Sequence, residues 1–116
     1  MKIFQVAENQ SFVSSLDLNE LLIKHPAATF FVRVEGNSSE EFGIHSGDIL
    51  VVDRAVKPAS GKVVLAIVDG EFALRKCMSD KKGLSFVSIA SKTKKDKAEL
   101  DIQIWGVVTF VIKHLG

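Results

Sequence analysis

Ser38 is the side chain in this 116-residue chain whose surroundings most suggest chemistry. It follows Gly36 and Asn37 at the end of a strand-like run. It precedes Gly43, Ile44, His45, Ser46, Gly47 and Asp48, after which a second apolar run begins. A serine in a glycine-bearing loop can offer its hydroxyl as a nucleophile and nearby backbone N–H groups as oxyanion donors. Serine is also common in loops for conformational reasons alone, so the pattern by itself does not fix a reaction. Other chemistry finds less support. His25, His45 and His114 are scattered without metal-ligand spacing, and surface or capping roles account for them. Gly36, Gly43 and Gly47 form neither standard phosphate-binding fingerprint. Cys77, the single cysteine, allows no internal disulfide and no thiolate cluster. No cofactor and no metal is therefore expected.

The elements that must position Ser38 read mostly as strands. A helix start lies at Ser14, Ser15, Leu16 and Asp17, and Leu18, Leu21 and Leu22 follow at helical spacing. Pro26 ends that helix, because the residue before a proline is pushed toward extended geometry. At roughly two turns, such a helix is expected to depend on packing rather than propensity. Strand-like runs then follow at residues 29–34, 48–53, 62–68, 71–77, 84–89 and 102–112, the last interrupted by Gly106. Turns fall at Ser46, Gly47 and Asp48, at Ser60 and Gly61, and at Asp69 and Gly70. Asp-Gly between two strand-like runs is a strong hairpin signal. Many short strands with regular turns predict a mainly β domain, as a barrel or twisted sandwich.

Composition narrows the function classes. An apolar content of 47% excludes a disordered chain. No run approaches the ~18 apolar residues a membrane-spanning helix needs. The net charge of +1 argues against a dedicated DNA-binding domain. The charge is uneven: residues 1–60 carry a net of −3 and residues 61–116 a net of +4. Lys92, Lys94, Lys95 and Lys97 supply much of that excess. They form either a solvated loop or a patch for an acidic partner, with no aromatic residue interleaved for base stacking. The first residues show no secretory pattern, so the cytoplasm is the expected compartment, and an unpaired cysteine fits it.

An ordered set of segments carries a family resemblance. It comprises Asp17, Leu18, Asn19, Glu20, Leu21, Leu22, Ile23, Lys24, His25 and Pro26; residues 28–32; Gly36, Asn37 and Ser38; and Gly43 with Ile44. It continues through Gly47 with Asp48; Val51, Val52 and Asp53; Val68, Asp69, Gly70, Glu71 and Phe72; and Trp105, Gly106, Val107 and Val108. The chain resembles the LexA/UmuD family of self-cleaving serine peptidases, most of all its UmuD branch. The resemblance implies a LexA-type peptidase fold: mainly β, with twisted antiparallel sheets in a partly open barrel and one short N-terminal helix. Residues 1–16 would be an N-terminal arm and residues 17–116 the domain.

The family uses a Ser–Lys dyad in which a neutral lysine takes the serine proton. Ser38 matches the nucleophile, but the lysine position is Arg75. A guanidinium stays protonated near pH 7 and cannot serve as a base. Lys76 is a substitute only if a bulge shifts the strand, because neighbouring strand residues face opposite ways. The bond the family cuts in its own arm is Ala-Gly or Cys-Gly. The residues preceding glycine here are Glu35, Phe42, Ser46, Ser60, Asp69, Lys82, Trp105 and Leu115, none of them Ala or Cys.

The segment before the helix matches in length what remains after a UmuD-type arm is processed. The expectation is therefore a serine-peptidase fold with an impaired site, acting by protein binding. The resemblance implies an accessory subunit of an error-prone translesion DNA polymerase in the SOS response. It would be a homodimer with a UmuC-like polymerase subunit, with the RecA filament as a further partner. DNA would be met only indirectly, and no membrane is involved. Dimer contacts are expected at Phe72, Val107, Val108, Phe110 and Ile112. Ile3, Phe4, Val6, Phe12 and Val13 in the arm either dock on a partner or pack on the chain's own barrel. The alternatives are an active peptidase using Ser38, and the interaction domain of a phage or plasmid repressor. The second is disfavoured because no helix-turn-helix segment precedes residue 17.

Overall fold

The computed structural model describes residues 16–36, 42–88 and 102–116. Their strands are β1 (Thr29–Arg33), β2 (Ile49–Asp53), β3 (Val63–Val68), β4 (Glu71–Asp80), β5 (Gly83–Ser88) and β6 (Ile102–Ile112). They form one open antiparallel sheet in the order β1-β2-β6-β3-β4-β5. Each expected strand is present, and the mainly β architecture with one short helix is as the sequence predicts. Central strands carry continuous apolar runs because both of their faces are covered. Leu50, Val52 and Leu65 join Ile44 in one core, while Val64, Val107 and Cys77 form a second core. Val64 and Leu65 are adjacent, so strand alternation alone assigns them to opposite faces. Burial pushes the Cys77 thiol above its ordinary range, so it behaves as a small hydrophobe.

Two turns set the β3–β4–β5 meander. Asp69 and Gly70 both hold positive φ, 51° and 86°, as a two-residue hairpin with the twist of its strands requires. The second turn is not legible as a Gly-based pair. Lys81 and Lys82 join Asp80 to its partner Gly83, and Asp80 Oδ1 accepts from the Lys82 N–H at 2.8 Å. That turn lets β4 continue past Cys77 to Asp80.

Gly106 does not interrupt β6, which runs unbroken through it. Its neighbours bulge instead. Leu65 pairs with Gly106 and Ala66 with Ile104, leaving Trp105 as an extra residue against β3. Val51 pairs with Phe110 and Val52 with Val108, leaving Thr109 as an extra residue against β2, where its hydroxyl donates to Val51 O at 3.2 Å. Bulges bend a strand and sharpen its twist. On the concave side, Phe30 of β1 then stands 5.3 Å from the Trp105 ring, and Phe72 of β4 stands 5.7 Å from it. β1 and β4 are thus brought across from each other although three strands separate them in the sheet order.

The helix α1 (Leu18–Leu22) starts where expected, but packing does not hold it, since none of its residues is buried. Asp17 caps it instead, its Oδ1 accepting from the Asn19 N–H at 2.9 Å. Pro26 opens a 3-10 turn, Pro26–Ala28, that leads directly into β1.

Candidate functional site

β1 delivers the chain to Gly36, and the chain is described again from Phe42. Ser38 lies between them, outside the described residues. Phe42 packs on the concave core formed by Ile44, Leu50, Val52 and Leu65. A groove opens on that side, with Val32 and Val34 on one wall, Phe72 and Leu74 on the other, and Leu50 and Leu65 as its floor. Arg33 and Glu35 stand at its rim. An extended apolar segment suits such a groove, because alternate side chains can point to its floor.

β4 carries the two candidate partners of Ser38. Its pairing with β3 is continuous from Val63↔Lys76 to Val68↔Glu71, and its pairing with β5 is equally regular. No bulge shifts the strand, so Arg75 and Lys76 face opposite sides, as expected. Lys76 shares the concave face with Leu74, and its Nζ stands 5.4 Å over the centre of the Phe42 ring. Arg75 lies between Val64 and Ser88 in the sheet, and its Nη1 donates to Leu74 O at 2.9 Å.

The expected interface residues divide into two groups. Val107 is 1% exposed and belongs to the interior, whereas Val108 is half-buried against the concave core. Phe72, Phe110 and Ile112 are exposed.

Two polar ties were not legible in the sequence. Asp53 is 3% exposed at the end of β2, and its Oδ2 lies 2.6 Å from His25 Nδ1. Its Oδ1 accepts from the Ala55 N–H at 2.8 Å. Burial pushes the Asp53 carboxyl up, but these two hydrogen bonds more than reverse the effect and leave it below the usual carboxylate range. Asp48 is also buried, and its Oδ2 lies 2.6 Å from Lys113 Nζ and accepts from the His45 N–H at 2.8 Å. The Lys113 hydrogen bond, then the His45 N–H, hold its carboxyl low. Lys113 Nζ also lies 3.2 Å from His45 Nδ1. His25 and His45 therefore tie the helical entry segment and the turn before β2 to the sheet, a more specific task than a surface role. The available signal was a lone aspartate at each border of the apolar run from Ile49 to Val52.

Both aspartates have folded pKa values below their unfolded ones. Their contribution to stability is complete above the unfolded value near pH 4, and it is lost as pH falls through the lowered folded values. Chemical denaturation followed between pH 7 and pH 2 should show a steep loss below about pH 4. Asp53→Asn should lower the melting temperature at pH 7 by about 5 °C and flatten that acid limb. An unchanged acid limb in the variant would remove Asp53 from the account.

Among the described residues, no group of three or more His, Cys, Asp or Glu side chains could hold a metal ion. Among them, too, no helix is long and apolar enough to cross a membrane.

Residues 2–109 match the family described as Peptidase S24-like. The chain is similar to Protein SamA of Salmonella typhimurium (strain LT2), with 45% identity over 98 residues, covering 84% of this chain and 68% of that protein. It is similar at the same 45% identity to Protein ImpA of Escherichia coli, covering 84% of this chain and 67% of that protein. Protein MucA of Escherichia coli is 36% identical over 108 residues, covering 85% of this chain and 70% of that protein. With a match spanning nearly the whole sequence and a mainly β fold that agrees with it, the chain belongs to the Peptidase S24-like family, in its LexA/UmuD group.

Proposed function

We propose that this chain is a UmuD-like accessory subunit of an error-prone translesion polymerase, acting in the cytoplasm by protein binding with its self-cleavage impaired. Its similarity to SamA, ImpA and MucA supports a UmuD-family role in error-prone repair. The observation that carries the binding reading is Arg75. It stands where the family's lysine is expected, on a strand whose regular register leaves no bulge to bring Lys76 to the same face. Ser38 keeps the nucleophile position without a neutral amine beside it in sequence register. Residues 17–116 act as the folded unit and residues 1–16 as its arm. The partners are a second copy of the chain, a UmuC-like polymerase subunit and the RecA filament. Of the expected dimer contacts, Phe72, Phe110 and Ile112 have the exposure an interface needs, Val108 is half-buried, and Val107 is buried.

One observation favours a second reading, an active peptidase with Lys76 as the base. Lys76 sits over Phe42, four positions along the chain from Ser38. The attraction of an aromatic face acts on an ammonium, whereas a general base must first shed its proton, so this contact supports the second reading only weakly.

Incubated at mildly alkaline pH, with or without RecA filaments, the purified protein should stay full length by mass spectrometry. Light scattering of the same sample at micromolar concentration should give the mass of a dimer. A fragment that disappears in Ser38→Ala and in Lys76→Met would establish the second reading. A monomer mass would remove the homodimer.

A further inference from the structure

Past Val108, the described strands hold β6 from one side. Its pairing with β3 ends at Val63↔Val108, whereas its pairing with β2 continues through Val51↔Phe110 and Leu50↔Val111 to Ile49↔Ile112. Phe110, Val111 and Ile112 are exposed, so burial adds little to hold them. The next residue, Lys113, carries a polar clasp. Its Nζ lies 2.6 Å from Asp48 Oδ2 and 3.2 Å from His45 Nδ1. Asp48 is buried, and its Oδ2 also accepts from the His45 N–H at 2.8 Å. The clasp thus fastens the end of β6 to the turn before β2, 65 positions away in the chain. That turn is in turn bound to the end of β1: the Val34 N–H donates to Asp48 O, and Val34 O accepts from the Gly47 N–H, each at 2.8 Å.

The chemistry of the three groups makes the clasp depend on one proton. An ammonium carries donors only, so what it meets at His45 Nδ1 is a lone pair. The clasped ring is therefore neutral, with its proton on Nε2. A protonated imidazole has an N–H at both positions and no lone pair to offer. It would also set a second cation beside Lys113 and compete with it for the one buried carboxylate. We propose that protonation of His45 opens this clasp and loosens the end of β6 from Phe110 to Lys113. His45 is exposed, so solvent reaches its ring. The other described charged groups around the clasp are exposed as well: Arg33 and Glu35 on either side of Val34, Lys62 just before Val63, and His114 after Lys113. Glu40 and Glu41 precede the turn in sequence, outside the described residues. Every group of the clasp belongs to one subunit, so the inference does not rest on the proposed function.

Amide exchange read by NMR on the full chain, at about pH 7.5 and about pH 5.5, spans imidazole titration and tests the clasp. Asp48 stays ionised at both, because the Lys113 hydrogen bond, then the His45 N–H, hold its carboxyl low. After correction for intrinsic exchange rates, protection of residues 110–113 should fall at least ~10-fold at the lower pH, on the scale of one charge-assisted hydrogen bond. Protection at the centre of the β3–β4 pairing should hold. His45→Gln offers Lys113 a side-chain oxygen that does not titrate, so protection should stay high at both pH values. This variant should melt within a few degrees of the parent, since the His45 side chain is exposed. Lys113→Met should leave residues 110–113 weakly protected at both pH values, and His114→Gln should respond as the parent does. Equal protection of the parent at the two pH values would overturn the proposal. So would a fall that survives in His45→Gln, a fall that His114→Gln abolishes, or a fall shared by the β3–β4 pairing.

Discussion

Arg75→Lys should turn this chain into a peptidase that cuts, in trans, a supplied family-type N-terminal arm containing an Ala-Gly bond. The reasoning begins with protonation. A serine hydroxyl needs a base that is neutral near pH 7, and a guanidinium with a pKa above 12 cannot be one. A lysine ammonium can lose its proton where burial disfavours the charge. Arg75 is half-buried on a regular strand, so a lysine there would keep the backbone position and the facing of the present side chain. General-base catalysis typically contributes 10²–10⁴-fold, so the gain over the parent should be at least about 100-fold. Cleavage should rise with pH as the new lysine deprotonates, and Ser38→Ala in the same background should abolish it. A folded Arg75→Lys protein that cuts no faster than the parent would mean that the site has lost more than its base. It would leave the proposed binding role untouched.

Gly106→Ala should be among the most destabilising single-methyl additions available in this chain. A Cβ built on Gly106 would stand 2.5 Å from Val52 Cγ1 and 3.2 Å from Arg54 Cγ. Arg54 is exposed and can swing away, although its Nε donates to Trp105 O at 2.7 Å and its guanidinium lies 4.4 Å from the centre of the Trp105 ring. Val52 is fully buried on β2, between β1 and β6, and has nowhere to go. Overpacking of this kind costs about 1–3 kcal/mol, or a fall of roughly 5–15 °C in melting temperature for a domain of this size. Val52→Ala removes the colliding methyl and should itself destabilise by leaving a cavity. Combined with Gly106→Ala, the two losses should sum to less than their separate values, because each variant relieves the other's defect. Thermal melts of the four proteins give the cycle. A Gly106→Ala protein melting within about 1 °C of the parent would show that β6 shifts freely at this point, contrary to its pairing on both sides.

These two residues mark the limits of what the sequence discloses. The place of Arg75 on a strand, and its opposite facing to Lys76, follow from counting residues past the Asp69–Gly70 turn, because strand alternation is local. Gly106 read as an interruption. In the sheet it is the position where β2 and β6 approach too closely for a side chain. That closeness depends on Val52, which lies 54 positions earlier in the chain and brings no local signal.

The same division runs through the whole protein. Sequence alone determined the six strands, the capped helix start, the Asp-Gly hairpin and the opposite facing of Arg75 and Lys76. Each of these rests on periods or motifs a few residues long. The tertiary structure decided which strands are neighbours, and that the bulges at Trp105 and Thr109 curl the sheet until β1 and β4 share a groove. It also decided that Val107 is core while Phe110 and Ile112 of the same apolar run are exposed, and that His25 and Lys113 reach across to Asp53 and Asp48. The physical reason is that burial and ion pairing depend on which distant surfaces meet. Residues of identical local type are told apart only by the elements packed on them.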